Sequence, residues 1–131
     1  MNSKDSTPGW YTLIDIGGVI GLVIAAIDNF AFNGEVSPIV IVALLLSATA
    51  ISGFIWDWRG WVVTVSAWAC VPLAHFFKHV FSLPDTLHPN TYTSILMLAV
   101  FTFVISIIGF GIGVLFRRLT KTVATEFRSR R

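Results

Sequence analysis

Charge is scarce in this sequence. Only 12% of its 131 residues are charged, whereas about a quarter of the residues in a typical soluble domain are. Hydrophobic residues make up 55%, which leaves too little polar surface to cover a folded domain in water. The composition therefore predicts an integral membrane protein.

Cysteines and catalytic motifs are scarce as well. The one cysteine, Cys70, excludes an intramolecular disulfide and any zinc site built on paired thiolates. There is no Gly-x-Ser-x-Gly elbow, no phosphate-binding glycine loop and no His-Glu-x-x-His pair. We therefore expect no enzymatic activity, no catalytic residue, no cofactor and no resident metal.

What the sequence does contain is four long apolar runs. A helix crosses the hydrocarbon core, which is roughly 30 Å thick, in about twenty residues. Because the intervening connections are short, consecutive helices are expected to run antiparallel as neighbours. The sequence thus predicts an all-α, single-domain membrane protein over residues 1–131, an up-down bundle of four transmembrane helices. The predicted spans are residues 11–32, 38–56, 60–81 and 91–116.

Positive charge is concentrated at the carboxyl end. Residues 117–131 hold six basic residues and one acidic residue, and basic segments next to a span favour the cytoplasmic side. This predicts cytoplasmic termini, with a bacterial inner membrane as the default compartment. We expect a basic amphipathic extension that binds anionic lipid and not nucleic acid, with a disordered tail as the alternative. The lipid-facing cations are Arg117, Arg118, Lys121, Arg128, Arg130 and Arg131.

Small residues recur at helical spacing within the runs. Membrane helices associate by close backbone approach at such residues. The predicted packing residues are Gly17 and Gly21 in the first helix and Ser106, Gly109 and Gly113 in the fourth. These faces serve either the monomer itself or contact with a second copy or a partner helix.

Four ionisable residues are predicted at similar depth near the outer side: Asp28, His75, Lys78 and His79. Charges within a span are costly and usually face the bundle interior. The simplest interpretation is a structural ion pair between Asp28 and Lys78. The second is a proton or ion site in which the carboxylate changes protonation during transport.

A metal site is the third interpretation of this region. His75 and His79, four residues apart on a helix, can share one ion. A further ligand would come from Asp28, His88 or Glu35. The positive charge of Lys78 between the two histidines disfavours this interpretation.

The outer loop after the third helix carries Asp85 and His88. A simple turn is the favoured interpretation, and a lid over the ionisable cluster is the alternative. Most polar residues thus have an architectural explanation. The favoured function is a structural or accessory subunit or a homo-oligomer. The alternative is a small ion, proton or metal transporter or channel.

Overall fold

The computed structural model describes residues 7–30, 38–85, 87 and 91–130. Four α-helices follow one another: α1 (Trp10–Phe30), α2 (Pro38–Trp56), α3 (Trp61–Val80) and α4 (Tyr92–Ser129). A single 3-10 turn, Asp57–Gly60, joins α2 to α3. The predicted all-α class is confirmed for the described part of the chain.

Three helical stretches are long and apolar enough to cross a membrane. Within the described part of the chain they are Trp10–Phe30, Ile39–Val80 and Tyr92–Ser129, and their length and composition indicate a membrane-embedded protein. The sequence predicted four separate spans. The counts differ because α2, the 3-10 turn and α3 follow one another without a break and count as one helical stretch.

The chain reverses direction within that second stretch. Asp57 adopts a left-handed backbone with φ of 55°, and a Cβ on Gly60 would collide with the carbonyl of Ser52. The hydroxyl oxygens of Ser52 and Thr64 are 2.9 Å apart, whereas a straight helix would separate residues twelve positions apart by about 18 Å. Helices α2 and α3 therefore lie side by side and antiparallel.

The closest backbone contacts join alternate helices and not consecutive ones. A Cβ on Gly17 would lie 2.6 Å from the carbonyl oxygen of Val63, and one on Gly21 would lie 2.5 Å from that of Ala67. Both distances are too short for any side chain, so α1 and α3 touch through glycine. The contacts ascend in the same order along both helices, which shows that α1 and α3 are parallel.

Helices α2 and α4 form the second such pair. Gly109 packs on Leu46 and Gly113 on Ala50, again with no room for a Cβ. Ser106 is fully buried one turn earlier, and its hydroxyl donates to the carbonyl of Thr102 at 2.8 Å. Consecutive helices do run antiparallel. The tightest interfaces, however, are those of the two parallel pairs, α1 with α3 and α2 with α4, where small residues line the contact.

Helix α4 extends well past the predicted end of the fourth span at residue 116. It has 38 residues, which at about 1.5 Å per residue gives about 57 Å, nearly twice the hydrocarbon thickness. Every described residue from 118 onward is exposed. Leu119, Val123 and Phe127 form an apolar stripe on this extension.

The bundle has two chemically different ends. At the histidine end, α1 and α3 finish and α4 begins, and this end holds Asp28 and His75. At the basic end, α1 and α3 begin, and this end holds Arg59 and Arg117. The candidate site lies at the histidine end.

Candidate functional site

His75 is buried between two carboxylates. Its Nε2 lies 2.9 Å from Oδ2 of Asp28 on α1. Its Nδ1 lies 2.8 Å and 3.0 Å from the two carboxylate oxygens of Asp85 in the loop after α3. The imidazole is 4% exposed and the Asp85 carboxylate 2%. We call Asp28, His75, Asp85 and the neighbouring Lys78 the histidine clasp.

The geometry of the clasp fixes how many protons it holds. A neutral imidazole has one N–H donor and one acceptor nitrogen, and an ionised carboxylate can only accept. Both bonds of His75 therefore require either an imidazolium or one protonated carboxyl. In either case the three groups carry one net negative charge. The ammonium of Lys78, 3.6 Å from Oδ1 of Asp85, balances it.

The end of α3 brings Asp85 back over the helix. Ser82 has a left-handed φ of 52°, and its N–H donates to the carbonyl of His79 at 3.2 Å. The N–H of Leu83 donates to the carbonyl of Lys78 at 2.9 Å. These are the two hydrogen bonds of a Schellman motif, which reverses the chain at a helix carboxyl end. Asp85 can therefore reach His75, ten residues earlier.

The carboxyl of Asp85 is held in its ionised form. Burial disfavours the charge, but the hydrogen bond and charge of His75 outweigh it, helped by a backbone hydrogen bond from Leu87 and by Lys78. The pKa of Asp85 consequently lies below its ordinary value of 3.8. The loop is tied to the bundle by a charged contact that persists in weak acid.

The structure rearranges the partners predicted from sequence. Asp28 bonds His75, and Lys78 pairs with Asp85, so the predicted ion pair between Asp28 and Lys78 is replaced by two contacts that share His75 and Asp85. His79 lies apart, with its ring centroid 4.4 Å from that of Tyr92. Asp85, predicted to lie in a turn or a lid, is a direct member of the cluster.

The predicted metal arrangement does not match these contacts. Both ring nitrogens of His75 already face carboxylates, and the His79 ring stacks edge-on against Tyr92. Over residues 7–30, 38–85, 87 and 91–130, no group of three or more His, Cys, Asp or Glu side chains is placed to hold a metal ion. His88 and Glu35, the other predicted ligands, lie outside the described residues.

An apolar layer lies directly below the clasp. Ile24 is one helical turn before Asp28, and Val71 is one turn before His75; both pack with Leu45 of α2 and Ile41. All four side chains are at most 6% exposed. Such a layer has no group that can accept or donate a proton. The ionisable cluster is therefore separated from the rest of the bundle interior.

Buried hydroxyls lie beyond this layer, toward the basic end. Thr49 donates to the carbonyl of Leu45, and Thr102 to that of Leu98, each at 2.7 Å. The indole N–H of Trp68 contacts the Thr102 hydroxyl at 3.1 Å. Sequence reasoning did not single out Thr49 or Trp68, although hydroxyl residues at helical spacing within apolar runs were a usable signal.

Arg117, one of the cations predicted to face lipid, contacts α2 at the basic end. Its Nη1 donates to the carbonyls of Phe54 and Ile55, the first at 3.0 Å. Its Nε lies 4.0 Å from the carboxylate of Asp57. Arg117 therefore caps the carboxyl end of α2, where backbone carbonyls have no helical partner.

The remaining cations differ in their contacts. Arg59 donates to the carbonyl of Pro8 at 2.9 Å and lies 4.9 Å from the Trp10 ring centroid, and so ties the 3-10 turn to the start of α1. Arg118 lies over Trp58 at 5.9 Å. Lys121 and Arg128 are exposed on the α4 extension. Arg130 follows directly after α4, with Nη2 3.4 Å from Oε1 of Glu126, and Arg131 lies outside the described residues.

Comparison with known proteins gives no relationship on which to build. No protein-family profile matches the sequence, and neither a curated protein nor a solved structure resembles it significantly.

Proposed function

We propose that the chain crosses a membrane four times and acts as a structural or accessory subunit, alone or as a homo-oligomer, and not as an enzyme. Two close contacts of Ser52 on α2 support four crossings: one with Gly60 of the 3-10 turn and one with Thr64 of α3. They fold the stretch Ile39–Val80 back on itself, so that it crosses twice.

The proposed orientation places the basic end in the cytoplasm. Arg59, Arg117 and Arg118 lie at that end together with Trp10 and the exposed cations of α4. The described cation at the other end, Lys78, is paired with Asp85. This asymmetry supports cytoplasmic termini by the positive-inside rule.

One observation supports the structural role: an apolar layer closes the bundle directly below its ionisable groups. The layer consists of Ile24, Ile41, Leu45 and Val71. A carrier or channel working through one copy needs polar groups or water across this depth. The clasp then holds the outer loop against α1 and α3. These structural contacts account for each charged group of the clasp.

The test is flux through purified protein in liposomes. We expect proton and potassium flux no greater than that of protein-free vesicles, both for the native chain and for Asp28→Asn. Purification of the native chain in mild detergent should yield either a homo-oligomer of defined size or a complex with a fixed membrane partner. Flux that disappears in Asp28→Asn and His75→Ala would overturn the structural role.

A second function, proton-coupled transport, is favoured by one observation. His75 lies within hydrogen-bond distance of both Asp28 and Asp85 in a buried site, and such groups occur in proton relays. This function requires the apolar layer to open. Replacing Val71 by Asn would then raise flux in the native background, whereas under a structural role it lowers stability and leaves flux absent.

A further inference from the structure

A groove between α3 and α4 runs toward the basic end. It encloses about 590 Å³ and is almost wholly apolar, within the range of roughly 300–1,000 Å³ typical of ligand sites. Three tryptophans line it: Trp58, Trp61 and Trp68. The rest of its wall comes mostly from α4, from Phe103 to Arg118.

The groove opens sideways, toward the space that a bilayer would fill. Trp58 is 64% exposed and Leu115 is 59% exposed. Trp68 and Phe103, with ring centroids 4.8 Å apart, mark its deep end. From Phe103 to Arg118 the helix rises about 22 Å, which exceeds the roughly 15 Å contributed by one leaflet. The groove is therefore long enough to span one leaflet.

A cation stands at the mouth of the groove. The Arg118 guanidinium lies 5.9 Å from the Trp58 ring centroid, and the residue is exposed. Its N–H groups can therefore meet an anionic oxygen, and a guanidinium suits a phosphate particularly well. The adjacent Arg117 is different, since it binds the carbonyls of Phe54 and Ile55.

A second apolar groove on the same side of the molecule supplies an internal comparison. It encloses about 440 Å³ toward the histidine end, and Trp68 lines both grooves. Its described lining includes Pro72, Phe76 and Tyr92 but no cation. Of the two grooves, the one at the basic end combines an apolar slot with a positively charged mouth.

We infer that the groove at the basic end binds one anionic phospholipid, with an acyl chain along the tryptophans and the phosphate at Arg118. The inference rests on the proposed membrane embedding. It differs from general attraction of the basic extension to a charged surface, because it assigns one lipid to one slot.

A substitution at Gly111 can test the inference by blocking the slot. It lines the groove, and a Cβ placed on it meets no atom within 4 Å. We therefore expect Gly111→Leu to fill the slot, since its Cβ meets no neighbour. Gly18 on α1 is equally open to a Cβ but does not line the groove, so Gly18→Leu is the matched control.

The experiment measures quenching of tryptophan fluorescence by brominated lipids in bilayers. Three of the five tryptophans line the groove. Brominated phosphatidylglycerol should bind roughly fivefold more tightly than brominated phosphatidylcholine, the factor expected for one cation at an anionic surface. Arg118→Gln should abolish this preference, and Arg128→Gln, the charge-matched control, should retain it.

Gly111→Leu should reduce quenching by both lipids, whereas Gly18→Leu should not; circular dichroism checks that both variants keep native helix content. Three results would overturn the inference. The first is equal binding of the two lipids by the native chain. The second is an equal loss of preference in Arg118→Gln and Arg128→Gln, which indicates diffuse surface attraction. The third is native quenching in Gly111→Leu, which places the lipid elsewhere.

Discussion

The two ends of the bundle use charge in opposite ways. At the histidine end, His75 and Asp85 are almost completely buried and each ionisable group of the clasp contacts another. At the basic end, the cations bind backbone carbonyls, as Arg117 does, or lie over indole rings, as Arg118 does. Buried charges depend strongly on their partners, whereas exposed ones contribute little individually. We therefore expect substitutions at the histidine end to cost more.

The largest expected effect follows from removing His75. His75→Ala leaves two buried carboxylates facing each other, and breaking a buried ionic contact costs about 3–5 kcal/mol. Unfolding in mixed detergent micelles measures the loss. His79→Ala, which removes a ring stacked on Tyr92, is the control at about 1 kcal/mol. Equal losses in the two variants would show that His75 is only a packing residue.

At the basic end, Arg117→Gln should have the next largest effect. It removes the donors to Phe54 and Ile55 and the charge near Asp57, for a loss of about 1–3 kcal/mol. The same unfolding assay applies. Arg128→Gln on the exposed extension should change stability by no more than about 0.5 kcal/mol. A loss in Arg117→Gln as large as that in His75→Ala would erase the difference between the ends.

Acid should weaken the histidine end through Asp85. Because the pKa of Asp85 in the folded state lies below 3.8, its ionised form favours folding. That stability is complete above about pH 5, where both states are ionised, and is lost as the pH falls through the ordinary value toward the lower folded value. Below about pH 5, the difference in unfolding free energy between the native chain and Asp85→Asn should shrink as the pH falls. A decrease that begins above about pH 5 would contradict this account.

The smallest effect concerns the two left-handed residues. Ser82→Gly at the histidine end should stabilise the protein by about 0.5–1 kcal/mol, because glycine tolerates positive φ. Asp57→Gly at the basic end relieves the same backbone but removes the carboxylate facing Arg117. It should therefore be neutral or destabilising. Thermal unfolding of both variants, read by circular dichroism, would show whether the signs differ.

The helices were predictable because their signals are local. Hydropathy located the start of α2 at residue 38 and its end at residue 56, as the structure has them. The glycines that bring parallel helices together were visible as a periodic stripe in α1. Reversal at the 3-10 turn was also expected from the brevity of that connection.

The partners within the site were not predictable, since they depend on how the loop after α3 returns. That return uses Ser82 in a left-handed conformation, where sequence patterns would look for glycine. Without knowledge of that conformation, Asp85 is interpreted as an ordinary loop residue and Lys78 as the expected partner of Asp28. Likewise, nothing local distinguishes Arg117, which faces α2, from Arg118 beside it.

Cysteine accessibility tests the four-crossing arrangement most directly. In a Cys70→Ser background, single cysteines at Thr7, Ser82 and Ser129 would be labelled with a membrane-impermeant maleimide in sealed vesicles. We expect Thr7 and Ser129 to react from the same side and Ser82 from the opposite side. Labelling of Thr7 and Ser129 from opposite sides would mean that Ile39–Val80 crosses once, and would contradict the account.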